Sequence, residues 1–242
     1  IKGQFERGYL QYSWLDKFTP DEQAFKLVDF SISNIPPRLK WKPARWNTDN
    51  QWPPKGKEIV FTYRSSDKEM KDVTIDVLYE MYDNIPLVSK SMEVHNQSNA
   101  TIVINTFKSE ELARVEESSG TNDDGYLPSP HIRIQSDYAF GGGSYADANH
   151  TTYWLPDSSF TSQVNYNLQS RCLLESKPPL GPDYKLAPGK DFETFHTYEL
   201  MYDDYDRERC GLAERKMYRI LAPWVTENPI FLHLTSTDPA EV

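Results

Sequence analysis

Cysteine is nearly absent: Cys172 and Cys210 are the only two in 242 residues. Two are too few for a disulfide framework and cannot by themselves make a zinc site, so both are expected as unpaired, buried thiols. Positive charge is also in short supply. Lys and Arg total 26 against 36 Asp and Glu, for a net charge of −10 and a pI near 5.0. That balance argues against nucleic acid, whose binders need a basic footprint, and against an anionic membrane surface. No stretch is long and apolar enough to span a bilayer as a helix. There is no initiator Met, and "IKGQFERGYL" does not read as a signal peptide, so the front end is expected to have been trimmed.

Motifs of catalysis and cofactor binding are missing too. There is no Gly-x-Ser-x-Gly elbow and no Cys/His pair at a nucleophile's spacing. The glycine triplet at 141–143 lacks phosphate-loop spacing and no helix follows it, so it reads as a turn. His131, His150, His196 and His233 are scattered, with no pair at metal-ligand spacing. His196 reads as a satisfied core histidine. "NDDG" at 122–125 reads as a turn in preference to a calcium loop. No metal and no cofactor are expected. Asn96, Asn99 and Asn149 each open an Asn-x-Ser/Thr sequon, a pattern frequent enough by chance to carry no weight.

What the chain does have is aromatic residues, proline and alternation. Aromatics are 13% of the chain, with 15 Tyr, 6 Trp and 17 Pro. In "EIVFTYR", Ile59, Phe61 and Tyr63 alternate with Glu58, Thr62 and Arg64. In "VTIDVLYEMYD", Val73, Ile75, Val77, Tyr79 and Met81 alternate with Thr74, Asp76, Leu78, Glu80 and Tyr82. "DNIP" is a turn, and "LVSKSMEVH" resumes with Val88, Met92 and Val94 opposite Ser89, Ser91 and Glu93. A period of two is that of half-buried strands, and short polar turns between them make an antiparallel meander. "ATIVINTFKSEELARVE" is expected as one further long strand. Shorter ones follow at "HIRIQSDYAF", "TSQVNYNLQ" and "RCLLESK". "LAPGKDFETFHTYELM" reads as a turn and a strand carrying Phe192, Thr194, His196, Tyr198 and Leu200 on one face. So many strands with a core to bury predict an all-β fold of two packed antiparallel sheets.

The period then changes. Residues 203–222 read as a helix with Cys210, Ala213, Met217, Ile220 and Leu221 on one face, and Pro223 ends it. Acidic residues crowd its start and basic ones its second half, as the helix dipole favours. Beyond it, "FLHL" is strand-like. Asp238, Pro239 and Glu241 then stand at the cap, first-turn and capping-box positions of a new helix. The chain thus divides into a β domain at 1–202, a linking helix at 203–223 and the opening of a β/α domain at 224–242. It is expected to be one domain of a longer protein.

Two long loops carry the aromatic excess. "NIPPRLKWKPARWNTDNQWPPKG" holds Trp41, Trp46 and Trp52; "FGGGSYADANHTTYWLPDSSF" holds Asn149, His150, Tyr153 and Trp154. Aromatic rings can stack on the C–H faces of sugars while amides and imidazoles take the hydroxyls. These seven residues are the candidate carbohydrate-binding set. No pair among the many carboxylates is singled out as a glycosidase acid and base.

Several blocks resemble one family. "YEMYDNIPLVSKSMEVHNQSN" is similar to a strand–turn–strand in the N-terminal domains of α-galactosidase-like glycoside hydrolases of the family 36 type. "WPPKGKEIVFTYRS", "SQVNYNLQSRCLLESKPPLGPDYKLAPGKDFETFHTYEL" and "DRERCGLAERKMYRILAPWVTENPIFLHL" resemble bacterial members of the group. The resemblance implies a galactose-mutarotase-like β-supersandwich, a linking helix and a catalytic (β/α)8 barrel as the partner that follows. It also implies an exported bacterial protein. Such barrels carry Asp nucleophiles and acid/bases at strand ends, and none of those motifs occurs before Val242. The implied role is a non-catalytic N-terminal domain that supports the barrel and contributes to carbohydrate binding. Alternatives are an independent carbohydrate-binding module and an aldose epimerase using His131 or His150.

Overall fold

The structure is a computed structural model that describes residues 24–43, 51–113, 132–138, 151–155, 173–204 and 206–227. Three strands that the alternation predicts form its centre, and a fourth, ahead of them in the chain and not among the expected strands, extends the meander. β1 (Phe25–Asn34), β2 (Gly56–Ser65), β3 (Val73–Tyr82) and β4 (Leu87–Asn96) are consecutive antiparallel neighbours. The β3–β4 turn uses Asn84 at φ 62°, a left-handed position that Asn tolerates. Further short strands complete the picture: β5 (Ile102–Thr106), β6 (Glu110–Ala113), β7 (Ile132–Ser136), β8 (Thr152–Leu155) and β9 (Leu173–Ser176). They are followed by β10 (Pro182–Leu186), β11 (Lys190–Glu193) and β12 (Thr197–Met201). The large sheet runs β1-β2-β3-β4-β12-β7, with β11 also on β4; β6-β9-β8 and β10-β5 form two smaller sheets. The expected all-β antiparallel supersandwich with a C-terminal helix is the observed architecture.

Two expected strands are broken, each for a physical reason. The run after Ala100 divides into β5 and β6, which join different sheets. The corner is Phe107–Lys108–Ser109: the Ser109 N–H donates to the Ser176 carbonyl at 2.8 Å, and Phe107 packs on Phe192 and Phe195. The second break lies between β11 and β12, which both pair with β4. Glu193 pairs with Glu93 and Thr197 with Lys90, so four steps on one strand match three on the other. One extra residue reverses every side chain beyond it. Phe192 therefore meets Phe107 on one face of the sheet, whereas Tyr198 and Leu200 join the helix-side core on the other. The single face expected for Phe192 through Leu200 does not exist. The "TSQVNYNLQ" strand lies outside the described residues, as do Cys172 and all of the C-terminal β/α opening past Glu227; its first residues, Trp224 to Glu227, belong to a 3-10 turn that begins at Pro223.

The helix α1 (Arg207–Leu221) starts later than expected because Asp206 caps it, its carboxylate accepting from the Arg209 N–H at 2.8 Å. Asp203 and Asp204 lie ahead of the helix and pair with the Arg209 side chain. Met217 is fully buried against Ile35, Tyr82, Ile85, Leu87, Tyr198 and Leu200. Ala213, Ile220 and Leu221 flank it as expected, and Cys210 is a free, half-buried thiol.

This packing decides the faces of β3 and β4. At the helix end the polar alternation set is the buried one: Glu80 and Tyr82 are buried, and Met81 is 65% exposed. Ser89 and Ser91 are likewise buried. The opposite face carries Phe61, Val77 and Met92 in one cross-strand row and Lys90, Thr197 and Ser136 in the same layer.

The small three-stranded sheet rests on that second row through hydroxyls. Ser109 and Thr197 share a hydrogen bond at 2.7 Å, Thr197 donates to Ser176 at 2.8 Å, and Ser136 meets Thr151 at 2.7 Å. Each contributes about 1 kcal/mol net, but losing a partner here costs more because it leaves a buried polar group unsatisfied. Lys90 reaches Glu110 at 3.0 Å from the same layer. Glu199 lies beside that pair, and burial together with the Glu110 charge pushes its carboxyl up to about 8.

Two outcomes follow from this packing. A Cβ at Gly56 would lie 2.2 Å from the Met81 carbonyl oxygen and 2.6 Å from Ile35. Gly56→Ala is expected to lower stability in urea unfolding by about 1–3 kcal/mol. For Glu199 the folded pKa is raised, so its contribution is complete below about 4.5 and is lost as pH rises through about 8. The urea midpoint should fall over that window, and Glu199→Gln should flatten the fall.

Candidate functional site

The helix side of the large sheet holds a polar row in register: Ser33, Glu58, Glu80, Ser89, Tyr198 and Gln135, one from each of six strands. Over it lies Arg38, delivered by the segment that leaves β1. Its guanidinium pairs with Glu80 at 2.5 Å, donates to the Tyr198 hydroxyl at 2.5 Å and sits 5.8 Å above the Tyr198 ring. Glu80 accepts further bonds from the Tyr82 hydroxyl and from Ser89, the latter at 3.0 Å. Burial works against the Arg38 charge, but Tyr198, Tyr82 and Glu80 more than offset it, and its pKa lies above the ordinary value. Burial raises both tyrosines well beyond the usual phenol range. Burial, then the charge of Glu80, raises the carboxyl of Glu58.

From Tyr198 the row turns toward the surface. The His196 ring stacks on Tyr198 at 6.1 Å and 24°. Asp137 accepts from the His196 N–H at 2.7 Å and lies 2.8 Å from its Nδ1, which fixes the ring. Burial alone would raise the Asp137 carboxyl; the His196 hydrogen bonds and charge outweigh it and hold the group below the ordinary range. The residue inserted between β11 and β12 makes room for this arrangement. His196 is thus the satisfied, buried histidine that the sequence predicts.

A second histidine, His95, went unremarked in the sequence. It lies 2.7 Å from Asp191, 3.3 Å from Asp76 and 3.6 Å from Glu93. Burial disfavours its charge, but these carboxylates raise its pKa. Among the described residues no group of His, Cys, Asp and Glu could hold a metal ion.

The aromatic candidates separate into two places. Trp41 and Trp52, from the two ends of their loop, pack edge-on at 6.2 Å, and both meet Trp224 of the 3-10 turn after α1, at 6.3 and 5.3 Å. Trp52 Nε1 donates to the Leu39 carbonyl at 2.9 Å. Tyr153 and Trp154 lie on β8 in the small sheet, paired with Glu175 and Leu174, and Lys177 sits 5.2 Å from the Tyr153 ring. Ring contacts among the described residues do not join the two groups. Trp46, Asn149 and His150 lie outside the described residues, as do His131, the 122–125 turn and the 141–143 triplet.

Arg38, Glu80 and Asp137 were not singled out from sequence. The alternation pattern placed Glu80 with Leu78 and Tyr82, which gave its face but not its partner. The Arg38–Glu80 pair is buried enough that removing the cation strands a carboxylate. Arg38→Met is expected to cost about 3 kcal/mol in urea unfolding, with much of that loss recovered in the Arg38→Met/Glu80→Gln double variant.

No family model matches the chain, and no curated protein matches it significantly. Among solved structures, the crystal structure of the α-galactosidase from Lactobacillus brevis matches 82% of this chain with a TM-score of 0.50 and 14% sequence identity. The match spans 29% of that enzyme's length. The chain therefore shares the β-sandwich fold of one part of an α-galactosidase.

Proposed function

We propose that this chain is a non-catalytic N-terminal β-sandwich domain of an α-galactosidase-like glycoside hydrolase. Its work is to support a catalytic (β/α)8 barrel and to contribute to carbohydrate binding. The structural likeness to less than a third of the Lactobacillus brevis α-galactosidase carries this reading. Side-chain use supports it. Glu80 is occupied by Arg38, Tyr82 and Ser89; Glu175 by Lys108 and Lys177; Glu110 by Lys90. A glycosidase acid needs a carboxyl free to meet the leaving oxygen, opposite a second carboxylate. These carboxylates instead hold strands, loops and sheets together. The helix packed across the sandwich gives a rigid exit from the domain, as a support for a second domain requires.

The purified chain is expected to release no aryl product from a nitrophenyl α-galactoside above the buffer rate. The same chain continued into a C-terminal barrel should hydrolyse it. Turnover by the chain alone overturns the reading.

A further inference from the structure

Among the described residues, β11 meets the large sheet through β4 alone, over Lys190–Glu193. Beyond the turn at Gly189 it leads back to β10, which belongs to the small two-stranded sheet. Phe192 seats one face of β11 against Phe107 and Tyr184. The other face carries Asp191 and Glu193, and there the fastening is ionic.

Asp191 lies across from His95, Glu193 across from Glu93, and Glu93 across from Asp76. Carboxylates of β3, β4 and β11 therefore share one patch, with His95 among them. Its Nδ1 is 2.7 Å from Asp191, and its Nε2 is 3.3 Å from Asp76 and 3.6 Å from Glu93. Among the described residues no other cation pairs with Asp76, Glu93 or Asp191. Arg64 of β2 stands in the same row but beyond Thr74 of β3. The Oδ1 of Asp76 is buried and has no hydrogen-bond partner, so this carboxylate depends on His95 through its other oxygen.

An ionised carboxylate only accepts, and a neutral imidazole has a single N–H. Both ring nitrogens of His95 face carboxylate oxygens, so only the imidazolium satisfies the arrangement. Loss of its proton turns one nitrogen's lone pair toward a carboxylate. It also leaves Asp76, Glu93, Asp191 and Glu193 as like charges on neighbouring strands.

We propose that His95 is a proton-operated clasp that fastens β11, and through it β10, to the large sheet: closed when the ring is charged and loosened when it is neutral. The inference is independent of the glycoside hydrolase reading. Burial disfavours the imidazolium, but Asp191, Asp76 and Glu93 outweigh it and lift the His95 pKa above 6.5. A raised folded pKa gives a contribution that is complete below the ordinary value and is lost as pH rises through the folded one. The clasp therefore opens on the alkaline side.

The test is NMR on the purified chain from about pH 6 to about pH 9, a range that brackets histidine titration. The His95 ring resonances report its protonation. Amide exchange over β11 is corrected for intrinsic rates and referenced to β2, which removes any global change in stability. His95 should titrate above the ordinary histidine value, with both ring nitrogens protonated at the acid end. Protection of β11 relative to β2 should fall about threefold or more across the range. His95→Gln should give the loosened strand at the acid end. His95→Lys, a cation throughout, should keep the strand protected at the alkaline end. Asp191→Asn should lower the His95 titration point and weaken the pH dependence. Titration of His95 at or below the ordinary value, β11 protection that does not follow pH, or a pH-dependent loss that persists in both His95 variants overturns the inference. The first two outcomes are read on the parent chain alone, so a variant that does not fold still leaves the inference open to refutation.

Discussion

The Glu80 carboxylate lies in the large sheet with 4% of its side chain exposed, and Arg38 offsets it from above. A charge so placed is tolerated when its oxygens are bonded and a countercharge is near. Glu80 meets both conditions through Arg38, Tyr82 and Ser89. Much else follows from this one pairing. Arg38 draws the segment after β1 down over the sheet, which brings Ile35 into the core with Met217 of the helix. The same guanidinium holds Tyr198, Tyr198 supports His196, and His196 orients Asp137 at the surface. A buried charge thus fixes a loop, a helix contact and the edge of the sheet together.

The other side of the sheet is held by a different chemistry. Between the large sheet and β6-β9-β8 the layer contains Ser109, Thr151, Ser176 and Thr197, each with no exposed surface, together with the Lys90–Glu110 pair. Among the described residues, the buried apolar side chains outside the helix-side cluster are Val73, Leu173, Leu174, Leu186 and Phe195. Hydroxyl bonds are directional, so such a layer fixes the registration of two sheets more narrowly than apolar contact does. Glu199 in the same layer makes it sensitive to protons, since its charged form is disfavoured there.

The single residue inserted between β11 and β12 links the two sides. Without it, Phe192 and Tyr198 would share a face. With it, Phe192 joins the ring cluster inside the sandwich and Tyr198 faces the helix and Arg38. The insertion also places His196 and its partner Asp137 where the sheet meets solvent.

The chain's own residues determined the meander, its turns and the helix, because those depend on periods of two and 3.6 and on caps next to each other in sequence. β2, β3 and β4 and the Met217 face of α1 were legible in this way. The pairing of Trp41 with Trp52 was foreshadowed only by their presence in one loop. What the tertiary structure alone decided was which face of β3 would be covered, and that Arg38 would meet Glu80 across 42 residues. It also decided that His196 would meet Asp137 across 59. Alternation says which side chains lie together but not which side receives the helix. An ion pair between distant segments leaves no local pattern, because its energy depends on burial and distance, which exist only once the sheets have packed.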